Sequence, residues 1–181
     1  MKALLLRIAL SLAVAMPVAA AQAASDIEVG FSPGGSAEAL VIRTLDSAQR
    51  SIRLIGYSFT SPDVVRSLVA AKRRGVDVAV AVDYKSNLEE DRSGKGRAAL
   101  ATLVNAGIPT RVVRAFQICH SKFFIVDGET VETGSYNYTT SAARYNAENA
   151  LVITGRPDLV RAYLDNWQYV YSKGDDYRPA Y

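Results

Sequence analysis

The sequence predicts an α/β domain, a mixed and largely buried β-sheet with helices on both faces. Two observations carry this expectation. Strand-like and helix-like runs alternate along the chain, the order produced when helices cover the faces of a sheet. The strand-like runs "VDVAVAVD" and "FFIVD" are apolar at consecutive positions, not only at alternate ones, which marks strands covered on each side.

Residues 1–23 stand outside this domain. Lys2 and Arg7 flank an apolar run over residues 8–18, and Ala21-Gln22-Ala23 fits a small-x-small cleavage site. This is the three-part plan of a secretory signal peptide, and its apolar run falls short of the roughly 18 residues that span a bilayer. The expectation is an exported chain, periplasmic or secreted, with no stable membrane association after cleavage and one domain over residues 24–181. The leader carries two basic residues and no acid. The 21 basic and 18 acidic residues of the precursor therefore become 19 and 18, and the formal charge falls from +3 to +1. Net charge is no argument for a polyanionic partner; only local clusters such as Lys72-Arg73-Arg74, or Lys85, Arg92, Lys95 and Arg97, can attract one.

Residues 51–59 read as a strand. The helix that follows has full punctuation: Ser61 as N-cap, Pro62 in the first turn, Asp63 toward the dipole, Lys72 to Arg74 at the end and Gly75 as terminator. Residues 76–83 form the next strand. A polar loop with Gly94 and Gly96 leads into a helix through Leu100, Leu103 and Val104, stopped by Gly107. Strands are expected near residues 110–113, 121–126 and 149–153. A last helix from about Pro157 places Leu159, Val160, Tyr163, Leu164 and Trp167 at helical spacing.

The stretch "CHSKFFIVDG" holds the only histidine. Alternation along a strand puts His120 and Lys122 on one face with Phe124 and Val126, and Cys119 on the other. A lysine at the mouth of a buried strand needs a counter-charge, which a substrate phosphate supplies. After Gly134, Ser135 and Asn137 form a second alternating pair able to hydrogen-bond phosphate oxygens. Cys119 is the only cysteine, so no intrachain disulfide forms and a buried apolar role is expected. One His and one Cys cannot supply the three or four N/S ligands of a zinc site. No metal or other cofactor is expected, although a carboxylate-bound Mg²⁺ stays open.

Taken together, His120-x-Lys122-x4-Asp127-x6-Gly134-Ser135-x-Asn137 resembles the HKD signature of the phospholipase D superfamily. The stretches "YSFTSPDVVRSLVAAKRRGVDV" and "NWQYVYSKGDDYR" extend the resemblance to the small exported bacterial endonucleases of that superfamily, which carry one such motif per chain. The resemblance implies non-specific cleavage of DNA and RNA that resists EDTA. It also implies His120 as nucleophile, Lys122 and Asn137 on the non-bridging oxygens, and Ser135 near phosphate and histidine. Glu148 would orient the imidazole, and Asp127, turned away by alternation, would be structural along with Gly134.

Metal-free cleavage of a phosphodiester needs a nucleophile and a general acid. Histidine, with an ordinary pKa of roughly 6.5, suits both tasks. A chain with one histidine must borrow the second from another copy, so the sequence reading expects a homodimer with one shared site. The alternative is a hydrolase of lipid phosphodiesters using the same residues. It favours an exposed apolar rim or an amphipathic docking helix, and the sequence reading finds neither. A non-catalytic nucleic-acid-binding module is opposed by the intact residue set.

Overall fold

The computed structural model describes residues 26–179, so the expected leader over residues 1–23 lies outside the described residues. In chain order the elements are β1 (Asp26–Ser32), α1 (Ser36–Asp46), β2 (Ser51–Gly56), α2 (Pro62–Arg73), β3 (Asp77–Asp83), a π-helical turn (Lys85–Glu89), α3 (Lys95–Asn105), β4 (Thr110–Val113), β5 (Phe123–Val126), β6 (Thr130–Gly134), α4 (Thr140–Arg144), β7 (Glu148–Thr154), α5 (Pro157–Ser172) and β8 (Asp175–Asp176). One sheet takes all eight strands in the order β1-β7-β6-β5-β2-β3-β4-β8. Strands β2, β3 and β4 run parallel to one another, and the other pairings are antiparallel. The mixed α/β sheet expected from the sequence is the sheet observed.

Helices α1, α2 and α3 cover one face. Their core joins Leu40, Val41 and Leu68 to Ile52, Leu54, Val80 and Phe124. On the other face α5 packs across β2 to β6, where Val160 and Val170 meet Ile55, Ala81, Phe123 and Ile125. Consecutive β5 residues thus enter different cores, the physical basis of its unbroken apolar run. Helix α2 follows its punctuation closely: the Ser61 hydroxyl accepts the Val64 N–H, and Lys72 and Arg73 close the last turn. Gly107, at φ 75°, ends α3. In α5, Val160 and Val170 are buried, while Leu159, Tyr163, Leu164 and Trp167 are half-buried.

Three differences from the sequence reading bear on the site. Strand β2 ends at Gly56 rather than at residue 59, and Phe59 keeps only a bridge to Tyr138. Strand β5 begins at Phe123 rather than at residue 121. The reason is that the Cys119 N–H donates to the Asp83 carboxylate, 2.8 Å away, instead of to a neighbouring strand. His120 and Lys122 therefore lie in an irregular segment that leads into the strand. Finally, β1 and α1 occupy a stretch where no element had been assigned. The apolar positions Ala37, Leu40, Val41 and Leu45 of α1 are buried at helical spacing.

The topology brings distant segments to one end of the sheet. Because β5 is antiparallel to β2, its start lies beside the C-terminal ends of β2 and β3. The end of β6 and the start of β7 reach the same place, since Phe123 pairs with Thr133 and Gly134 with Ala150.

Candidate active site

At that end a cleft of about 630 Å³ is lined by His120, Lys122, Ser135, Asn137 and Glu148, with Gly134, Thr133 and three residues of α5 completing the wall. All five residues assigned chemical roles from the sequence share this cleft. Asp127 does not.

Lys122 is only 6 % exposed. Its ammonium donates to the His120 carbonyl at 2.6 Å and sits 5.0 Å from the centre of the Tyr57 ring. Burial pulls its pKa below the ordinary lysine value, against the opposing pull of Glu148. An ammonium carries three N–H donors, so two remain for an incoming anion. His120 is exposed, its ring against Tyr57 at 4.6 Å between centroids. The loop beneath is pinned by Asp83, which receives both the Cys119 and the Ser86 N–H.

The opposite wall is a short network around Glu148. Its carboxylate accepts the Ser135 hydroxyl at 2.6 Å and the Asn146 amide at 2.9 Å, and the Ser135 oxygen in turn accepts the Asn149 N–H. Among the described residues no hydrogen bond joins Glu148 to His120. Gly134 is dictated by a close approach, because a Cβ there would lie 2.2 Å from the Asn149 carbonyl oxygen. Any side chain would push β6 from β7 and part Ser135 from Glu148.

Asp127 lies a strand length away, in the turn between β5 and β6. It has φ 57° and is followed by Gly128 at φ 69°, the left-handed pair that closes a tight hairpin. Its carboxylate accepts the N–H groups of Gln49, Arg50 and Ser51. Desolvation acts to raise its pKa, but the three amides and Arg50 outweigh it and hold the group below the usual carboxylate range. Cys119 is buried, and its thiol is pushed up to about 11, chiefly by that burial.

Residues that sequence reasoning gave no role also shape the site. Tyr57 supports both His120 and Lys122; its signals were its place at the start of the family-like stretch "YSFTSPDVV" and just after a parallel strand, where α/β sheets gather ligands. Asn146 holds Glu148 from two residues away. Tyr163 and Asn166 reach the cleft from α5; Tyr163 had been read only as part of the helix's apolar spacing, and Asn166 only as the start of the family-like stretch "NWQYVYSKGDDYR". Two exposed apolar side chains also stand close in sequence to site residues: Ile118, 51 % exposed, two residues before His120, and Tyr145, 77 % exposed, next to Asn146. Among the described residues no group of three or more His, Cys, Asp or Glu is arranged to hold a metal ion. No helix among them is long and apolar enough to cross a membrane.

Residues 41–170 match the family model described as cardiolipin synthase, PLD-like domain. The phospholipase D of Rickettsia felis is 32% identical over 143 residues, 79% of this chain and 68% of that protein. The mitochondrial cardiolipin hydrolase of Xenopus laevis is 34% identical over 145 residues, 80% of this chain and 64% of that protein. The matched stretch thus spans about two thirds of these relatives' own length. Among solved structures, Nuc, a phospholipase D family member from Salmonella typhimurium, is similar at 46% identity and a TM-score of 0.82, covering 86% of this chain and 99% of that one. NucT from Helicobacter pylori shares the fold at 19% identity and a TM-score of 0.73, covering 85% and 100%.

Proposed function

The chain belongs to the phospholipase D superfamily and is a phosphodiesterase, and from that premise we propose that it is an exported, metal-independent endonuclease whose active site is shared by two copies. The observation that carries the reading is the single cleft holding His120, Lys122, Ser135, Asn137 and Glu148. The match to nearly the whole length of Nuc, together with the resemblance to the small exported endonucleases, favours nucleic acid as substrate. Phosphates attract basic groups whatever the base sequence, so DNA and RNA both qualify and little sequence preference is expected.

In this mechanism an imidazole nitrogen of His120 attacks phosphorus. A P–N bond forms, the P–O bond to the leaving sugar breaks, and the partner's His120 gives that oxygen its proton. Water then attacks the phosphohistidine, losing its proton to the same imidazole, and the P–N bond breaks to restore His120. Lys122 and Asn137 hold the non-bridging oxygens through both steps. The near-burial of Lys122 strengthens its attraction for the charge gathering there. Glu148, fixed by Ser135 and Asn146, balances the charge of the histidinium and the lysine.

A feature of the sheet supports the second copy. Val131, under α5, pairs with Ile153, and Ile153 with Ile27, so these side chains share a face. Beyond α5 that face leaves Ile27, Val29 and Phe31 of edge strand β1 more than half exposed. This apolar strip runs toward the cleft, with Phe31 paired to Asn149 beside Glu148. A two-fold contact across it buries the strip and brings the clefts together.

A second reading, hydrolysis of lipid phosphodiesters, is favoured by the names of the Rickettsia and Xenopus relatives and by the exposed apolar side chains of Ile118 and Tyr145. One assay separates the two: residues 24–181 with plasmid DNA, RNA and phosphatidylcholine vesicles in parallel, in excess EDTA. Cleavage of the nucleic acids with the lipid untouched is the expected result. Lipid turnover without nucleic-acid cleavage reverses the assignment, and activity abolished by EDTA but restored by Mg²⁺ refutes the covalent-histidine mechanism.

A further inference from the structure

We propose that a second cleft, on the far side of Asn137 from the first, is a subsite for the nucleotide that flanks the scissile phosphate, held by its sugar and base; this rests on the endonuclease reading above. The cleft is of about 500 Å³. Asn137 lines both clefts. Tyr57 lines the second while its ring meets His120 and Lys122. Asn146 also lines the second and donates to Glu148 of the first. The two spaces are therefore separated by one layer of side chains. A polymer whose phosphate lies at His120 has a neighbouring unit within reach of the second space, whereas a small diester fills the first alone.

The lining selects the chemistry. Ser58, Thr60, Ser86, Thr139 and Ser141 line this cleft, with Ser58 and Ser86 hydrogen-bonded to each other and Thr139 capping α4; a wall rich in hydroxyl side chains suits sugar hydroxyls and base edges and is poorly suited to an acyl chain. Glu90, Asp91 and Lys95 line it as well. Glu90 is paired with Lys85, and Asp91 receives Ser93 and the Gly96 N–H, so the charges at this cleft are of both signs and what sets it apart is its neutral hydroxyl lining. Two further features match. The amide oxygen of Asn137 is buried without a hydrogen-bond donor among the described residues, and a sugar hydroxyl or a base amino group supplies one. The half-exposed ring of Tyr57 offers a surface on which a base can stack.

Ser141 and Thr140 are exposed residues of the cleft wall, so Ser141→Trp fills the space without entering the core. We would measure kcat/KM for bis(p-nitrophenyl) phosphate, a dinucleotide and a single-stranded octanucleotide. Ser141→Trp should lower the dinucleotide-to-diester and octanucleotide-to-diester ratios alike, by about tenfold, the scale of losing one modest binding contact. If Ser141→Trp loses the diester reaction too, Thr140→Trp is read on the same ratios. Unchanged ratios in a variant that still hydrolyses the diester overturn the subsite. A wild type that hydrolyses the diester and leaves the octanucleotide intact instead overturns the endonuclease reading.

Discussion

Lys122 commits one N–H to the His120 carbonyl and is nearly buried, so its charge is fixed in place and poorly screened by water. Such a group stabilises bound phosphate before and during reaction, and Lys122→Ala is expected to raise KM and lower kcat together. His120→Ala removes the proposed nucleophile instead. It should abolish turnover while DNA binding, followed by fluorescence anisotropy, stays within about twofold. Glu148→Gln keeps the shape but only one of the two oxygens that accept from Ser135 and Asn146, and loses the charge; it should retain the fold by circular dichroism and lower kcat by about tenfold or more. Wild-type turnover in Glu148→Gln would show that another acid serves the histidine. At this scale the sequence was informative where chemistry and spacing coincide, as at His120, Lys122, Ser135 and Asn137. The roles of Tyr57, Asn146 and Asn166 were not legible, even though Tyr57 and Asn166 open family-like stretches, because each acts through a fold contact that no local pattern encodes.

Strand β6 carries both a site device and a stability device. Its Gly134 end lets β7 approach, and its middle buries Glu132, 1 % exposed, with the Tyr138 hydroxyl donating to it at 2.9 Å. Burial pushes the Glu132 carboxyl up to about 8. Below the ordinary glutamate range both folded and unfolded chains hold the proton. As pH rises from about 5 to 8 the unfolded chain releases it while the folded one keeps it, so stability falls over that window and then levels. Glu132→Gln keeps a neutral acceptor for Tyr138 and removes this fall. Urea unfolding at the two ends of the window should show the variant gaining on the wild type with pH, by on the order of a few kcal/mol. A constant difference would mean that Glu132 titrates alike in both states. The order β2-α2-β3-α3-β4-β5-β7-α5, with β4 and α2 nearly to the residue, could be read from apolar pattern and caps; β1, α1, β6, α4 and β8 were not assigned. The end of β2 could not be read, because Asn87 takes the Phe59 N–H and donates to the Tyr57 carbonyl, nor the start of β5, because Asp83 captures the Cys119 amide from 36 residues away. Asp127 was expected to be structural, but its grip on three amides of the α1–β2 connection depends on the folded sheet.

Across the whole molecule, α5 packs on the sheet from β6 through β5, β2 and β3 to β4, and the strip of Ile27, Val29 and Phe31 leads from the face beyond it to the cleft. The sequence offered the histidine count but not this strip, since β1 had not been recognised as a strand. The central claim is that two copies, each with one His120, build one metal-free nuclease site. Its most direct measurement is DNA cleavage, in excess EDTA, by dimers reassembled at random from equal amounts of wild type and His120→Ala. About half of the wild-type chains then sit in mixed dimers, and activity per wild-type chain should fall to about half that of wild type refolded alone. Undiminished activity per wild-type chain, with mixed dimers verified by mass, would contradict the shared site and place the general acid within a single chain.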